Sequence, residues 1–239
     1  MILPYDIFNH IITHVNVKTL WHLSYTNKTI RNICNHYPFY KVLSKVSNNK
    51  YFNLNVKSDI LDQFLNNITD GDKDLLKELQ CTFGIYLSDD EKLNSIVYLY
   101  GNYYNINTIM CMIIEIFDHS MLNLDNYPIC FKNIIKKYKI VNISLDSDMY
   151  FVIKSLCHQF NDLYFPEINI IIPTSCTYDD KTVFNIFKQF KQFKLLRLTG
   201  YPIINMSQIP IGEITNDILS SFLNFLLQGC KDVLNITYP

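Results

Sequence analysis

Glycine and proline are scarce in this sequence of 239 residues, which contains 6 and 8 of them. This scarcity excludes long flexible or proline-rich linkers. No run of about 18 apolar residues could span a bilayer. The N-terminus also lacks a basic region followed by an apolar segment and a small-residue cleavage site. We therefore expect a protein that is neither secreted nor membrane-embedded, and that works in the cytoplasm or nucleus.

The chain also lacks an excess of charge of either sign. Lys and Arg total 21, Asp and Glu total 22, and the formal net charge is -1. No global field attracts the chain to nucleic acid or to an anionic membrane, so we predict neither as a partner. Lysines cluster locally at 132–139 and 188–194, where they are typical of solvated helix faces.

Motifs for cysteine, metal and cofactor chemistry are missing as well. The seven cysteines are widely scattered without a CxxC pair, which favours reduced, mostly buried thiols over a disulfide framework or a zinc site. His10 and His14 have the spacing of a zinc pair, but Ile11 stands where a metalloprotease needs Glu. There is no Gly-rich phosphate loop and no GxSxG. We predict no metal, no cofactor and no catalytic residue.

What the chain does have is a hydrophobic content of 49%, enough for a substantial core. The first forty residues indicate three short helices. Pro4 suits a first helical turn, and Asp6 places negative charge near the positive end of the helix dipole. A second helix is predicted to begin around Lys18 and a third around Asn27. Three such helices enclose little core, so some of their apolar surface is expected to be covered by something else.

Residues 3–34 resemble an F-box, the helical module that docks substrate receptors on the Skp-type adaptor of cullin-RING ubiquitin ligases. The matching elements are Leu3-Pro4-Tyr5-Asp6-Ile7, the apolar Ile11, Ile12 and Val15, then Leu20 and Leu23, then Asn27-Lys28 and Ile30-Arg31. The chain departs from the family pattern at Asp6, where Glu is commoner, and at Ile30, where Trp is usual. Trp21 could compensate for the second departure.

The resemblance implies which side chains contact the adaptor: Leu3, Pro4, Ile7, Ile11, Leu20 and Leu23. Apolar side chains grouped at the start of a helix are also the kind of patch that anchors protein interfaces.

The composition of the chain is biased. Asn, Ile, Lys and Tyr are heavily used while Ala, Gly and Arg are rare. This bias resembles that of F-box proteins from large DNA viruses, which would redirect a ligase of the host cell.

Beyond about residue 50 the pattern alternates between short strands and helices. Strands are predicted at 140–145, 168–172, 195–199 and 233–237, and helices at 148–160, 181–193 and 214–229. Asn142, Asn169 and Arg197 mark the centres of three strands and are spaced 27 and 28 residues apart. Earlier strands are indicated around Asn53, Tyr86 and Glu115, the last in competition with "MLNL" at 121–124.

This periodicity resembles a leucine-rich-repeat solenoid of the helix-bearing kind. We therefore predict an α+β protein with an F-box-like helical module at 1–45 and an α/β repeat domain at 46–239. The same alternation would also arise in a compact α/β domain with a parallel sheet, which stays open as the alternative.

Two functions follow. The first is a non-catalytic substrate receptor of a Skp-cullin-F-box ubiquitin ligase, with the N-terminal helices on the adaptor and the repeats on a target protein. The second is a protein-interaction scaffold or decoy without ligase association, in which the N-terminal helices only cap the end of a solenoid.

Overall fold

A computed structural model describes most of the N-terminal half of the chain, the strands of a sheet and the last helix. The described residues are 14–26, 28, 31, 37–90, 93, 95–117, 121–125, 140–144, 169–174, 193–198 and 214–237. Most of the first and third predicted helices and the whole predicted helix at 148–160 lie outside these residues. The predicted helix at 181–193 also lies outside them except for Phe193, which begins a strand.

Six helices are described: α1 (Val17–Thr26), α2 (Pro38–Val46), α3 (Asp59–Ile68), α4 (Lys73–Gly84), α5 (Tyr103–Phe117) and α6 (Asn216–Thr237). A 3-10 turn, Ile85–Leu87, follows α4. Five strands are described: β1 (Ile96–Gly101), β2 (Met121–Asp125), β3 (Ile140–Ser144), β4 (Asn169–Thr174) and β5 (Phe193–Leu198).

The chain forms two compact units. The N-terminal unit comprises Met1–Ser58, Gln80–Asp89 and Asn216–Pro239, and the sheet unit comprises Asp59–Leu79 and Asp90–Thr215. The sequence predicts a boundary at residue 45, whereas the structure groups the N-terminal helices with α6, some 170 residues further along the chain.

The sheet unit is organised around a parallel sheet with the strand order β2-β3-β4-β1-β5. β1 pairs with β4 on one side and with β5 on the other, and Ile96 lies opposite Ile170 and Phe193. Ile96, Val97 and Leu99 of β1 are buried. A parallel strand that is buried on both faces has a nearly continuous run of apolar residues, as β1 has in "IVYLY" before Gly101.

Helix α5 follows β1 through a tight turn and packs against β1 and β4. Gly101 has a φ of +153°, and a Cβ there would overlap the carbonyl oxygen of Leu198. The Asn102 side chain accepts a 2.9 Å hydrogen bond from the backbone N–H of Tyr104 and so caps α5. The buried residues of α5 recur at helical spacing, among them Ile109, Met112, Ile113 and Ile116.

Three of the four clearest strand predictions are confirmed, as β3, β4 and β5. The strand predicted at 233–237 is wrong, because α6 continues to Thr237. The strand around Tyr86 is a 3-10 turn, and the residues around Asn53 form turns and irregular chain. Glu115 lies in α5, whereas the competing "MLNL" forms β2. Strand β1 was not among the predicted strands.

The structure does not show a leucine-rich-repeat solenoid. In a solenoid each repeat contacts only its neighbours along the chain, so its strands pair in chain order. β2, β3 and β4 follow that order, but β1 lies between β4 and β5. A parallel sheet with this strand order is compatible with the alternative, a compact α/β domain.

In the N-terminal unit the long helix α6 packs against the 3-10 turn, α2 and α1. Its buried face includes Phe222, Leu223, Leu226, Leu227, Cys230 and Leu234. Asn224 Nδ2 donates hydrogen bonds to the carbonyl oxygens of Asn53 and Val56, at 2.9 and 3.3 Å. The backbone N–H of Ser58 donates to Ser221 Oγ at 3.2 Å. These bonds fix the segment that follows α2 onto α6.

Candidate functional site

Helix α1 is the described part of the predicted adaptor-docking region. Asn16 precedes it, and its side-chain oxygen accepts a 2.8 Å hydrogen bond from the backbone N–H of Thr19, as an N-cap residue does. Val17, Leu20 and Ser24 are buried. They lie three and four residues apart, so one stripe of α1 faces the core. The sequence-based prediction of a second helix beginning around Lys18 is confirmed.

Trp21 lies at the centre of an aromatic cluster. Its ring is 5.0 Å from Tyr25 and 5.3 Å from Phe52, both edge to face, and 6.4 Å from Tyr40. Offset and edge-to-face ring pairs at these distances stabilise a packed cluster beyond the area they bury. Trp21 therefore joins α1 to α2 and to the segment after α2.

The C-terminal end of α1 is held by Arg31. Its Nε donates a 3.1 Å hydrogen bond to the carbonyl oxygen of Ser24, and its guanidinium lies 5.4 Å from the Tyr25 ring centre. A cation near the last turn also interacts favourably with the helix dipole. Tyr25 is 60% exposed, so this Tyr–Arg pair forms part of the surface of the N-terminal unit.

The residues predicted to contact the adaptor are only partly described. Leu20 is fully buried, at 0% exposure, and Leu23 is half-buried. Leu3, Pro4, Ile7 and Ile11 lie outside the described residues. Leu20 is thus buried in α1 in this chain, and the adaptor contacts of all six residues stay predictions.

Tyr25 was missed as a surface residue of this region. It follows Trp21 by four residues, a spacing that places two aromatic rings on one helix face. That spacing is the signal in the sequence, but Tyr25 is not one of the apolar positions of the family motif, which include Leu20 and Leu23.

Tyr37 is a buried polar residue at the start of α2. Its hydroxyl has no hydrogen-bond partner among the described residues. Burial raises the pKa of this phenol above its ordinary value of 10.0, and Asp232 and Cys230 of α6 raise it further. An acid whose pKa is raised by folding contributes stability that is complete below its unfolded pKa and is lost as the pH rises.

Replacing Tyr37 with Phe is expected to leave stability at neutral pH unchanged or raised by up to about 1 kcal/mol, because an unsatisfied buried hydroxyl is removed. Above pH 10 the variant should lose less stability than the parent chain, since no phenol then has to ionise at this position. Urea unfolding at pH 7.5 and pH 10.5 measures both effects. Tyr103→Phe, at a 60% exposed position, is the control. A Tyr37→Phe chain with the same alkaline loss as the parent would contradict the assignment.

The sheet unit contains a shallow cleft of about 500 Å³. Four carboxylates and one guanidinium line it, on Asp70, Asp72, Asp74, Glu78 and Arg197. Asp72 is the N-cap of α4, because it accepts hydrogen bonds from the N–H groups of Asp74 and Leu75 at 2.8 and 3.1 Å. Acidic residues in a first helical turn are favoured by the helix dipole, which accounts for much of this charge.

Two searches of the described residues gave negative results. No three histidine, cysteine, aspartate or glutamate side chains in that part of the chain are grouped so that they could hold a metal ion. Among the helices described, none combines the length and apolar character needed to cross a membrane.

Comparison with solved structures shows a likeness of fold. The A form apo structure of the NrS-1 C-terminal region matches with a TM-score of 0.51 and 13% identity, over 74% of this chain and 50% of that chain. A second apo structure of that region matches with a TM-score of 0.51 and 12% identity, over 78% and 54%. The chain spans about half the length of these structures, and the likeness concerns the fold alone. No curated protein matches the sequence.

Comparison with family models identifies the N-terminal part of the chain. The F-box domain model matches residues 1–42, which include α1 and the start of α2. F-box domains in general bind the adaptor of Skp-cullin-F-box ubiquitin ligases. The match agrees with the resemblance found at residues 3–34, and with the capped, one-sided helix that the structure shows at Val17–Thr26. Residues 1–42 of this chain are therefore the part that is similar to an F-box domain.

Proposed function

We propose that the protein is a substrate receptor of a Skp-cullin-F-box ubiquitin ligase. The observation that carries this proposal is the F-box domain at residues 1–42. A second, separate compact unit with its own parallel sheet accompanies it. In this proposal the N-terminal unit binds the adaptor and the sheet unit binds a target protein. A substrate receptor requires both binding functions.

Such a receptor requires no catalytic residue of its own. It raises the effective concentration of target lysines near the ubiquitin-loaded end of the ligase. The protein is thus a non-catalytic member of the ubiquitin conjugation pathway that works in the cytoplasm or nucleus. If it is viral, as the composition suggests, the adaptor and the ligase belong to the host cell.

Adaptor docking depends on the start of the F-box domain in this proposal. Replacing Leu3, Pro4 and Ile7 together with alanine is expected to reduce affinity for a purified Skp-type adaptor at least tenfold, because anchor residues of an interface each contribute about 1–2 kcal/mol or more. Co-purification and a titration by calorimetry measure the loss.

Ile60→Ala is the matched control, since it removes an apolar side chain that is 56% exposed in the sheet unit. Thermal unfolding of both variants shows whether each chain is folded when it is tested. Unchanged adaptor affinity in a folded triple variant would refute the receptor function, as would failure of the parent chain to bind any Skp-type adaptor.

A further inference from the structure

Two cysteines lie where two elements of the N-terminal unit approach each other closely. The end of α4 crosses α6 at Gly84 and Gly229. A Cβ at Gly84 would overlap the backbone N of Cys230 and lie 2.6 Å from the carbonyl oxygen of Leu226. A Cβ at Gly229 would overlap the carbonyl oxygen of Gln80 and lie 2.9 Å from the backbone N of Cys81. The two backbones are therefore in direct contact.

This crossing places Cys81 and Cys230 side by side. The peptide bond between Gln80 and Cys81 lies against Gly229. The peptide bond between Gly229 and Cys230 lies against Gly84. A disulfide requires Cα atoms about 4.4–6.8 Å apart, which most pairs of packed helices exceed. Glycine at both contact points removes the side chains that would otherwise hold the helices further apart.

The electrostatics of Cys230 agree with this placement. Burial raises the pKa of its thiol above the ordinary value of 9.0, and the Cys81 sulfur is the neighbouring group that raises it further. The two sulfur atoms are thus close enough for a charge on one to affect the other. Neither cysteine forms a disulfide in the structure.

The two thiols differ in access to solvent. Cys230 is fully buried, at 0% exposure, whereas Cys81 is only half-buried. An oxidant from solution can reach Cys81 but not Cys230. This asymmetry is typical of a pair in which one cysteine reacts first and the second one resolves the product.

We propose that Cys81 and Cys230 form a peroxide-sensitive thiol pair that closes to a disulfide across the α4–α6 crossing. The Cys81 thiolate attacks hydrogen peroxide, breaks its O–O bond and becomes a sulfenic acid, and the departing hydroxide takes a proton to form water. The sulfur of the buried Cys230 thiol then attacks the Cys81 sulfur and displaces the sulfenic hydroxyl, which takes the proton of the Cys230 thiol and leaves as water. Two thiols and one peroxide thus give one disulfide and two waters.

The disulfide would join two parts of the N-terminal unit that are distant in sequence. It would close a loop of about 150 residues between positions 81 and 230, and disulfides that close long loops restrict the unfolded chain most. Oxidation should therefore raise the thermal unfolding midpoint of the unit that contains the F-box domain. The proposal does not depend on ligase association, because it concerns only the chemistry of the crossing.

The test treats the purified, fully reduced full-length chain with a small excess of hydrogen peroxide. Intact mass should fall by two hydrogens, and proteolysis without reductant should yield a Cys81–Cys230 peptide pair. The unfolding midpoint should rise by several degrees and return to its original value on addition of dithiothreitol. Cys111→Ser, at a half-buried cysteine of the sheet unit, should leave all three results unchanged.

Cys230→Ser keeps the small buried side chain and should trap the intermediate. Its Cys81 should be labelled by dimedone, a reagent for sulfenic acids, while Cys81→Ser should give neither the label at that position nor the crosslink. A crosslink from Cys81 to any other cysteine would overturn the proposal. Peroxide treatment that leaves Cys81 reduced, or that oxidises it without the Cys81–Cys230 peptide pair in the parent chain, would do the same.

Discussion

Replacing Gly229 with alanine is expected to destabilise the protein by about 3 kcal/mol or more, because the new methyl group would overlap backbone atoms that cannot move aside. The overlap involves the carbonyl oxygen of Gln80, and the backbone N of Cys81 lies 2.9 Å away. Helix propensity alone predicts the opposite sign, since alanine is favoured over glycine in a helix interior by about 1 kcal/mol. Urea unfolding of the full-length chain, with the N-terminal unit followed by the fluorescence of Trp21, measures the difference.

Gly71→Ala is the matched control. Gly71 has a φ of +72°, but a Cβ there would meet only Asn66 Oδ1, at 3.9 Å. The expected loss is about 1–2 kcal/mol, from the left-handed backbone alone. A Gly229→Ala chain that is as stable as the parent would show that the two backbones are further apart than described, and the thiol pair would then lose its geometric basis.

Truncating Leu20 to alanine is expected to lower the free energy of unfolding by about 2–5 kcal/mol, the usual loss for a buried leucine. Leu20 is fully buried in α1. The substitution should therefore weaken adaptor binding only by reducing the fraction of the chain that is folded. At a temperature where the variant is fully folded, adaptor affinity should equal that of the parent. Chemical unfolding and calorimetric titration at two temperatures separate the two effects.

Tyr25→Ala provides the comparison from the same helix. Tyr25 is 60% exposed and contacts Trp21 and Arg31, so its removal should lower stability by less than about 1 kcal/mol. A Leu20 variant that is fully folded and yet binds the adaptor tenfold more weakly would contradict this expectation and indicate that Leu20 contacts the adaptor directly.

The elements that the sequence predicts best are those whose apolar pattern agrees with their final environment. Helix α1 shows one apolar stripe, and β3, β4 and β5 are short apolar runs in a buried sheet. β1 was equally readable from "IVYLYG", a run of β-branched and aromatic residues that ends at Gly101. It does not fit the interval of 27 to 29 residues that separates the strands predicted from the sequence.

The end of α6 was misread for a different reason. Gly229 follows a helical pattern, and glycine after such a pattern normally indicates a helix end. Here Gly229 allows the backbones of α4 and α6 to come into contact. The buried face of α6 continues beyond it with Cys230 and Leu234. A glycine required by tertiary contact cannot be distinguished from a capping glycine when only the local sequence is considered.

Strand order and the orientation of the site residues depend on the whole chain. The alternation of strands and helices is compatible with both a solenoid and a compact sheet, and only the position of β1 between β4 and β5 separates them. Similarly, the family motif identifies Leu20 and Leu23 but does not indicate which faces inward. Burial of Leu20 depends on the packing of α1 in the N-terminal unit, which includes a helix from the far end of the sequence.

The grouping of α6 with the F-box domain has a consequence for synthesis on the ribosome. The N-terminal unit draws on residues before 58 and after 216, so its core, including Phe222 and Leu226, cannot be completed while the sheet unit is still being translated. A prematurely terminated chain would carry an F-box sequence without its supporting helix. Under the proposed receptor function, only chains that also carry the sheet unit would therefore have a complete N-terminal unit to present to the adaptor.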